Sequence, residues 1–209
     1  MKVSIVSVQG QEEFMSGDRA TKMLILSSAR TLFSEKGYGQ TTVEEICALA
    51  GIAKGTFFYY FESKQSIVRY ILAMQMDEYR EQLVQQMDSL QDAISRAEYF
   101  IAALVEQADS APETDSYFRD APAEWYDTVL REERARTLLP LLEDVVLEGI
   151  DKGYFHIKNP DVCSAIVFYG IDSLLQNPVL DSPNLYRGIR EMAAKTLGLK
   201  ETALAISNY

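Results

Sequence analysis

Residues 41–64, Thr-Thr-Val-Glu-Glu-Ile-Cys-Ala-Leu-Ala-Gly-Ile-Ala-Lys-Gly-Thr-Phe-Phe-Tyr-Tyr-Phe-Glu-Ser-Lys, leave this chain few choices of fold. Thr42 stands directly before a run with helical apolar spacing, and Glu45 follows three residues on. In that pattern a hydroxyl caps one backbone N–H while the carboxylate returns to another, so a helix starts at Val43. Val43, Ile46, Cys47 and Ala50 fall on one face, leaving Glu44, Glu45 and Ala48 towards solvent. Gly51 ends the helix, because it takes positive φ without a steric penalty.

After the Gly51-Ile52 turn the sequence predicts a second short helix over residues 53–60, and the two together read as a helix-turn-helix. Lys54 and Lys64 are cations, Thr56 offers a hydroxyl, Gly55 leaves room for close approach, and Tyr59 and Tyr60 offer phenols. Lysines and hydroxyls suit phosphate oxygens, and a threonine methyl or an aromatic edge suits a thymine methyl on a major-groove floor. The competing reading is that residues 57–61, all aromatic, simply fill the core of a small three-helix unit. Five consecutive side chains cannot all face inwards on a helix. Phe57 and Phe61, four apart, are assigned to the core and Tyr60 to the surface, while Phe58 and Tyr59 stay open between the two.

Joined to Ile25-Leu26-Ser27-Ser28-Ala29-Arg30-Thr31-Leu32-Phe33 and Gly37-Tyr38, the segment resembles the DNA-binding domain of the TetR family of transcriptional regulators. The shared features are the Ala-x-x-Leu-Phe helix, the Gly-Tyr, the Thr-Thr-Val-x-x-Ile and the Lys-Gly-Thr-Phe-x-Tyr-Tyr-Phe-x-Ser-Lys, over roughly residues 21–67. The resemblance implies a recognition helix starting near Ala53, with Lys54, Gly55 and Thr56 near bases and phosphate contacts from Thr42, Tyr60 and Lys64. Two positions depart from the family pattern: Phe58 replaces a usual tyrosine and so loses a hydroxyl, and Ala53 replaces a common serine and is a poor N-cap.

The net charge of −11 looks wrong for a nucleic-acid binder until it is divided along the chain. Residues 18–66 hold six Lys/Arg against five Asp/Glu, whereas residues 67–209 hold thirteen against twenty-four. Acidic bulk set away from a DNA face lowers nonspecific affinity without abolishing local phosphate contacts, which act within a Debye length of about 8 Å. The longest apolar runs fall far short of the roughly 20 residues of a membrane span. The first residues make a poor signal peptide, so a cytoplasmic location is expected. Cys47 and Cys163 lie far apart and His156 is the lone histidine, so no metal site, disulfide framework or cofactor is expected, and both thiols are assigned to the interior.

Taken in order, residues 1–17 show no periodicity and read as a flexible arm. A first helix is expected from Asp18, with Leu26, Ala29, Leu32 and Phe33 inwards and a stop at Gly37. Thr21 and Lys22 are either additional phosphate contacts or plain surface. Ser63 caps a helix striped by Leu72, Met76, Tyr79, Leu83 and Met87, which runs out of the DNA-binding segment and suits transmission between domains. Further helices are expected over residues 91–108, 123–136, 137–152, 161–176 and 184–197. Residues 111–115 and 154–160 read as loops, and the charged run 131–136 as a solvated face. The all-α chain thus divides into a helix-turn-helix head, residues 18–66, and a helical ligand-binding and dimerisation domain, residues 67–209. The helices over 161–176 and 184–197 suit a two-fold four-helix bundle in a homodimer, or else burial within one chain.

In the second domain Tyr79, Phe100, Phe118, Trp125, Tyr126, Phe168 and Tyr169 are candidate walls of a mostly apolar effector pocket, with Asp172 a candidate partner for a cationic group. For each of them taken singly, core packing is a commoner role than ligand contact. No catalytic constellation is present: there is no phosphate-cradling glycine loop, nucleophile elbow or metal spacing. The expectation is therefore a non-enzymatic homodimeric repressor of double-stranded operator DNA, released by a small molecule and not membrane-bound. The alternative is a helical interaction protein that kept the head's shape but no longer reads DNA.

Overall fold

The computed structural model describes residues 8–109, 115–118, 120–175 and 185–198, and among them every regular element is a helix. In chain order these are α1 (Val8–Lys36), α2 (Val43–Ala50), α3 (Lys54–Tyr60), α4 (Lys64–Asp88), α5 (Ala93–Asp109), α6 (Asp115–Phe118), α7 (Ala123–Asp151), α8 (Pro160–Leu175) and α9 (Leu185–Thr196).

Contacts gather the chain into two compact units, one of Met1–Leu72 with Glu113–Val129, the other of Ala73–Pro112 with Leu130–Tyr209. This division differs from a border at residues 66/67. α4 stays helical through Leu72 and on to Asp88, and a later segment, α6 with the first turns of α7, joins the head.

In the first unit the core is built from Ile25, Leu26, Ala29 and Phe33 of α1, Ile46, Cys47 and Ala50 of α2, and Phe57 of α3, with Phe61 and Ile67 beyond. Phe118 of α6 closes on this core, its ring 5.7 Å from that of Phe33 and 5.6 Å from that of Tyr126. Trp125 stacks on Tyr38 at 5.8 Å. Asp120 completes the docking by accepting the Gly39 N–H at 2.8 Å. Gly37 has φ of 88°, and a Cβ there would lie 2.6 Å from the Asp120 carboxylate, so the turn needs glycine for both its backbone and its space.

The second unit is a helical core in which α4 supplies Leu83 and Met87, α5 Ala97, Phe100, Ile101 and Leu104, α7 Leu138, Leu142 and Val146, α8 Val167, Phe168 and Ile171, and α9 Ile189 and Ala193. Arg96 pins the turn between α4 and α5, donating to the carbonyls of Met87 at 3.2 Å and Leu90 at 3.1 Å while pairing with Glu148.

Four features differ from the sequence expectation. α1 begins at Val8, ten residues before Asp18; Gly17 lies inside it, and one glycine within a helix costs only about 1 kcal/mol and does not end it. Residues 1–7 of the expected arm and 111–114 of the expected 111–115 loop lie outside the described residues, while Asp115 opens α6. Residues 123–152 form one helix instead of two, with Pro140 inside it. Proline at that position lacks the N–H that would reach the Arg136 carbonyl, and both residues are exposed. The 131–136 run is not wholly solvated: Glu133 and Arg134 are buried, Glu133 matched by Arg136 at 2.7 Å. Cys47 is buried as expected, whereas Cys163 is only half-buried.

Candidate nucleic-acid interface

Thr42 is the N-cap of α2, and its hydroxyl accepts the Glu45 N–H at 3.3 Å. Glu45 returns its carboxylate to the Thr42 N–H at 2.9 Å, closing the capping box that the sequence spells. Glu45 also pairs with Lys36 at the end of α1, so one carboxylate ties two helices. That lysine, followed by the Thr42 N–H and hydroxyl, lowers the Glu45 carboxyl to about 2. Gly51, at φ 65°, turns the chain out of α2.

α3 follows with no side-chain cap, since Ala53 has no group to give. Its inner side is held by Phe57, fully buried, with Phe61 just past its end. The aromatic run divides as its periodicity requires. Phe58 is 47% exposed and Tyr59 69% exposed, which resolves the two open positions towards the surface. Lys54, exposed, pairs with Glu44 of α2, and this hydrogen bond lowers the Glu44 carboxyl. A pair so open to water contributes little to stability and yields easily to another anion. Thr56 is half-buried and Gly55 exposed.

Two expected contact residues are engaged within the protein. Tyr60 is half-buried and donates its hydroxyl to Asp18 of α1 at 2.5 Å, and that carboxylate pushes the phenol's pKa up. Lys64 turns inward, donating to the carbonyls of Tyr38 at 2.5 Å and Thr41 at 2.7 Å, with its ammonium 4.1 Å from the centre of the Tyr38 ring. Burial lowers its pKa. Lys22 likewise sits over an aromatic face, 3.8 Å from the centre of the Tyr70 ring, a contact that helical spacing alone does not reveal. The structure thus gathers Lys54, Gly55, Thr56, Phe58 and Tyr59 on α3 with Thr42 at the start of α2, while Tyr60 and Lys64 tie α3 and α4 back to α1 and its following turn.

The expected effector residues fall in both units. Phe118, Trp125 and Tyr126 belong to the first, as described. In the second, Phe100 and Phe168 are core, and Tyr79 donates its hydroxyl to the Ala103 carbonyl at 3.0 Å, burial raising its pKa to about 12. Tyr169 is 47% exposed. Asp172 is buried and receives Arg134 Nη1 at 2.8 Å, with Arg131 Nε 3.5 Å from its other oxygen. This ion pair was missed because Arg134 sits in a charged run that looks like surface. A shallow cleft in the same unit is bordered by Asp88, Arg96, Asp144 and Glu148, and none of the expected aromatic residues lines it. Among the described residues no group of three His, Cys, Asp or Glu is placed to hold a metal, and no helix is long and apolar enough to cross a membrane.

A capped scaffold helix, a glycine turn and a second short helix bearing lysine, threonine and tyrosine form a helix-turn-helix head. Residues 25–71 match the model of bacterial regulatory proteins of the tetR family. Over 78 residues, 35% of the chain, it is 38% identical to the HTH-type transcriptional repressor KstR2 of Rhodococcus jostii (strain RHA1), covering 38% of that protein. Over 43 residues, 21% of the chain, it is 49% identical to the negative transcriptional regulator IcaR of the biofilm operon icaADBC of Staphylococcus aureus (strain Newman), covering 23% of it. The match therefore spans well under half the length of these curated relatives. In fold, the chain is similar to RolR crystallised with the ligand resorcinol, with a TM-score of 0.62 at 23% identity over 91% of this chain and 93% of that one.

Proposed function

We propose that the protein is a homodimeric, cytoplasmic, non-enzymatic repressor that binds a near-palindromic operator and is released by a small-molecule effector. The observation that carries DNA reading is Gly55. Its φ is not positive, and a Cβ built on it meets nothing within 4 Å, so neither backbone nor packing requires glycine there. Glycine inside a seven-residue helix is costly, and what it provides is close approach from outside. Lys54 and Thr56 flank it, and Tyr59 stands exposed three residues after Thr56. In this reading Lys54, Gly55 and Thr56 meet base edges while Thr42, Phe58 and Tyr59 border the backbone. Tyr60 and Lys64 serve as contacts only so far as their internal bonds let go. The repressors KstR2 and IcaR, similar to this chain over the head, support the assignment.

Dimerisation is assigned to α8 and α9. On α8, Val162, Ile166 and Tyr169 follow at spacings of four and three and are 52%, 52% and 47% exposed, an apolar stripe opposite the buried Val167, Phe168 and Ile171. A second copy of the same stripe covers it in a two-fold bundle. Two recognition helices then face successive major grooves, about 35 Å apart. The effector acts from the second unit, among Tyr79, Phe100, Phe168 and Asp172. Phe118, Trp125 and Tyr126 hold the head together, and Tyr169 belongs to the dimer face. α4, one unbroken helix from the head into the second unit, carries the shift, and the effector weakens operator binding by its differential affinity for the two states.

The test is a mobility shift on DNA upstream of the protein's own gene at low and physiological salt, followed by genome-wide fragment selection. Specific, salt-sensitive binding by a dimer that Thr56→Ala redirects to other sequences supports the reading. Failure to select any specific fragment overturns it in favour of a head that no longer reads DNA.

A further inference from the structure

Arg134 and Thr137 stand three residues apart on α7 and therefore share a face. Both are buried, at 8% and 5% exposure. Arg134 is oriented by Asp172 through the 2.8 Å bond at Nη1, and Arg131 Nε lies 3.5 Å from the other oxygen of the same carboxylate. The Nε–H of Arg134 and the hydroxyl of Thr137 have no hydrogen-bond partner among the described residues.

Thr137 also differs from four other helical threonines among the described residues. Thr21, Thr31, Thr128 and Thr196 each donate to the carbonyl four residues back, at 3.0, 3.1, 2.7 and 2.8 Å. That local bond is how a helix ordinarily absorbs a hydroxyl. Thr137 is equally helical, yet its hydroxyl makes no such bond. Leu138 and Leu141 follow on α7 and Phe168 stands one turn before Asp172 on α8, all three apolar residues buried in the core of this unit. A buried guanidinium with an unused N–H and an unused hydroxyl one turn away complement an oxyanion.

Resting on the effector-responsive reading above, we propose that Arg134 and Thr137 receive the carboxylate of an effector with an apolar body, and that Asp172 is a positioning residue which holds Arg134 in place. This replaces the expectation of a cationic ligand at Asp172, whose oxygens are already engaged by two arginines.

The test titrates the DNA-free protein calorimetrically with a monocarboxylate series, butyrate, octanoate, benzoate and phenylacetate, and with the matching neutral amides. At least one carboxylate binds, its amide binds about tenfold more weakly or worse, and Thr137→Val weakens the carboxylate about tenfold while the unliganded variant melts no lower than the parent. Absence of binding across the series, equal binding of acid and amide, or undiminished binding by Thr137→Val overturns the site. The regulator reading is scored separately by mobility shift. Operator binding with no carboxylate bound sinks the site and leaves the regulator, and carboxylate binding that never releases operator leaves the site and sinks release.

Discussion

The ammonium of Lys64 lies 2.7 Å from the carbonyl oxygen of Thr41 and serves the carbonyl of Tyr38 as well, so the first residue of α4 ties down the turn between α1 and α2. Lys64→Met keeps the aliphatic stem and leaves two carbonyls short of a donor. It should cost about 1–3 kcal/mol of stability, measured as a lower midpoint in urea. Operator affinity measured well below that midpoint should fall less than it does for Tyr59→Ala, because the ammonium is spent inside the head.

Glu45 gives the head an acid-sensitive clasp. Its folded pKa, about 2, lies below the ordinary 4.5, so the carboxylate's contribution is complete above pH 4.5, declines as the pH falls below that value and is lost through about 2. Melting temperature followed from pH 6 to pH 2 should therefore drop more steeply in the parent than in Glu45→Gln, the two curves converging at the acid end.

Asp18 places a negative charge beside the phenol of Tyr60, on the head that must approach phosphates. Asp18→Asn removes the charge and keeps an acceptor. Operator affinity at low salt should rise by roughly two- to fivefold, as expected for one exposed charge pair, and the gain should shrink at physiological salt. Fluorescence anisotropy at both salt concentrations reads this directly.

Gly55→Ala separates folding from recognition, because the two effects have opposite sign. Alanine fits the helix and should stabilise it by roughly 0.5–1 kcal/mol, while in the proposed reading its methyl group intrudes on the DNA and should lower operator affinity. Thermal melts and operator titrations on the same preparation should therefore move in opposite directions.

Ile166→Glu puts a charge in the middle of the exposed α8 stripe. A homodimer built on that stripe should dissociate to monomers at micromolar concentration by light scattering, with helicity unchanged by circular dichroism and operator affinity strongly reduced.

The parts of this molecule legible in the sequence are those whose causes are local. Thr42 and Glu45 are three residues apart, Gly51 needs only its own φ, and the division of residues 57–61 follows from the helical repeat. What was not legible depends on distant partners. The bond from Gly39 to Asp120 spans 81 positions, and neither residue carries a periodic signal. Trp125 and Phe118 look like pocket aromatics until Tyr38 and Phe33 are found against them. Arg134 reads as surface because its burial depends on Asp172, 38 residues away.

The docking of Phe118, Asp120 and Trp125 onto Phe33, Gly39 and Tyr38 bears on how far the head can be transplanted. Residues 1–72 alone would expose one face of Phe33 and one of Tyr38 and would leave the Gly39 N–H without its acceptor. A chimera that grafts this head onto another regulator's body must therefore bring residues 113–129 with it, or rebuild their three anchoring side chains on the recipient. The reading head is a discontinuous module, and its portability is set by a segment that the chain supplies forty residues later.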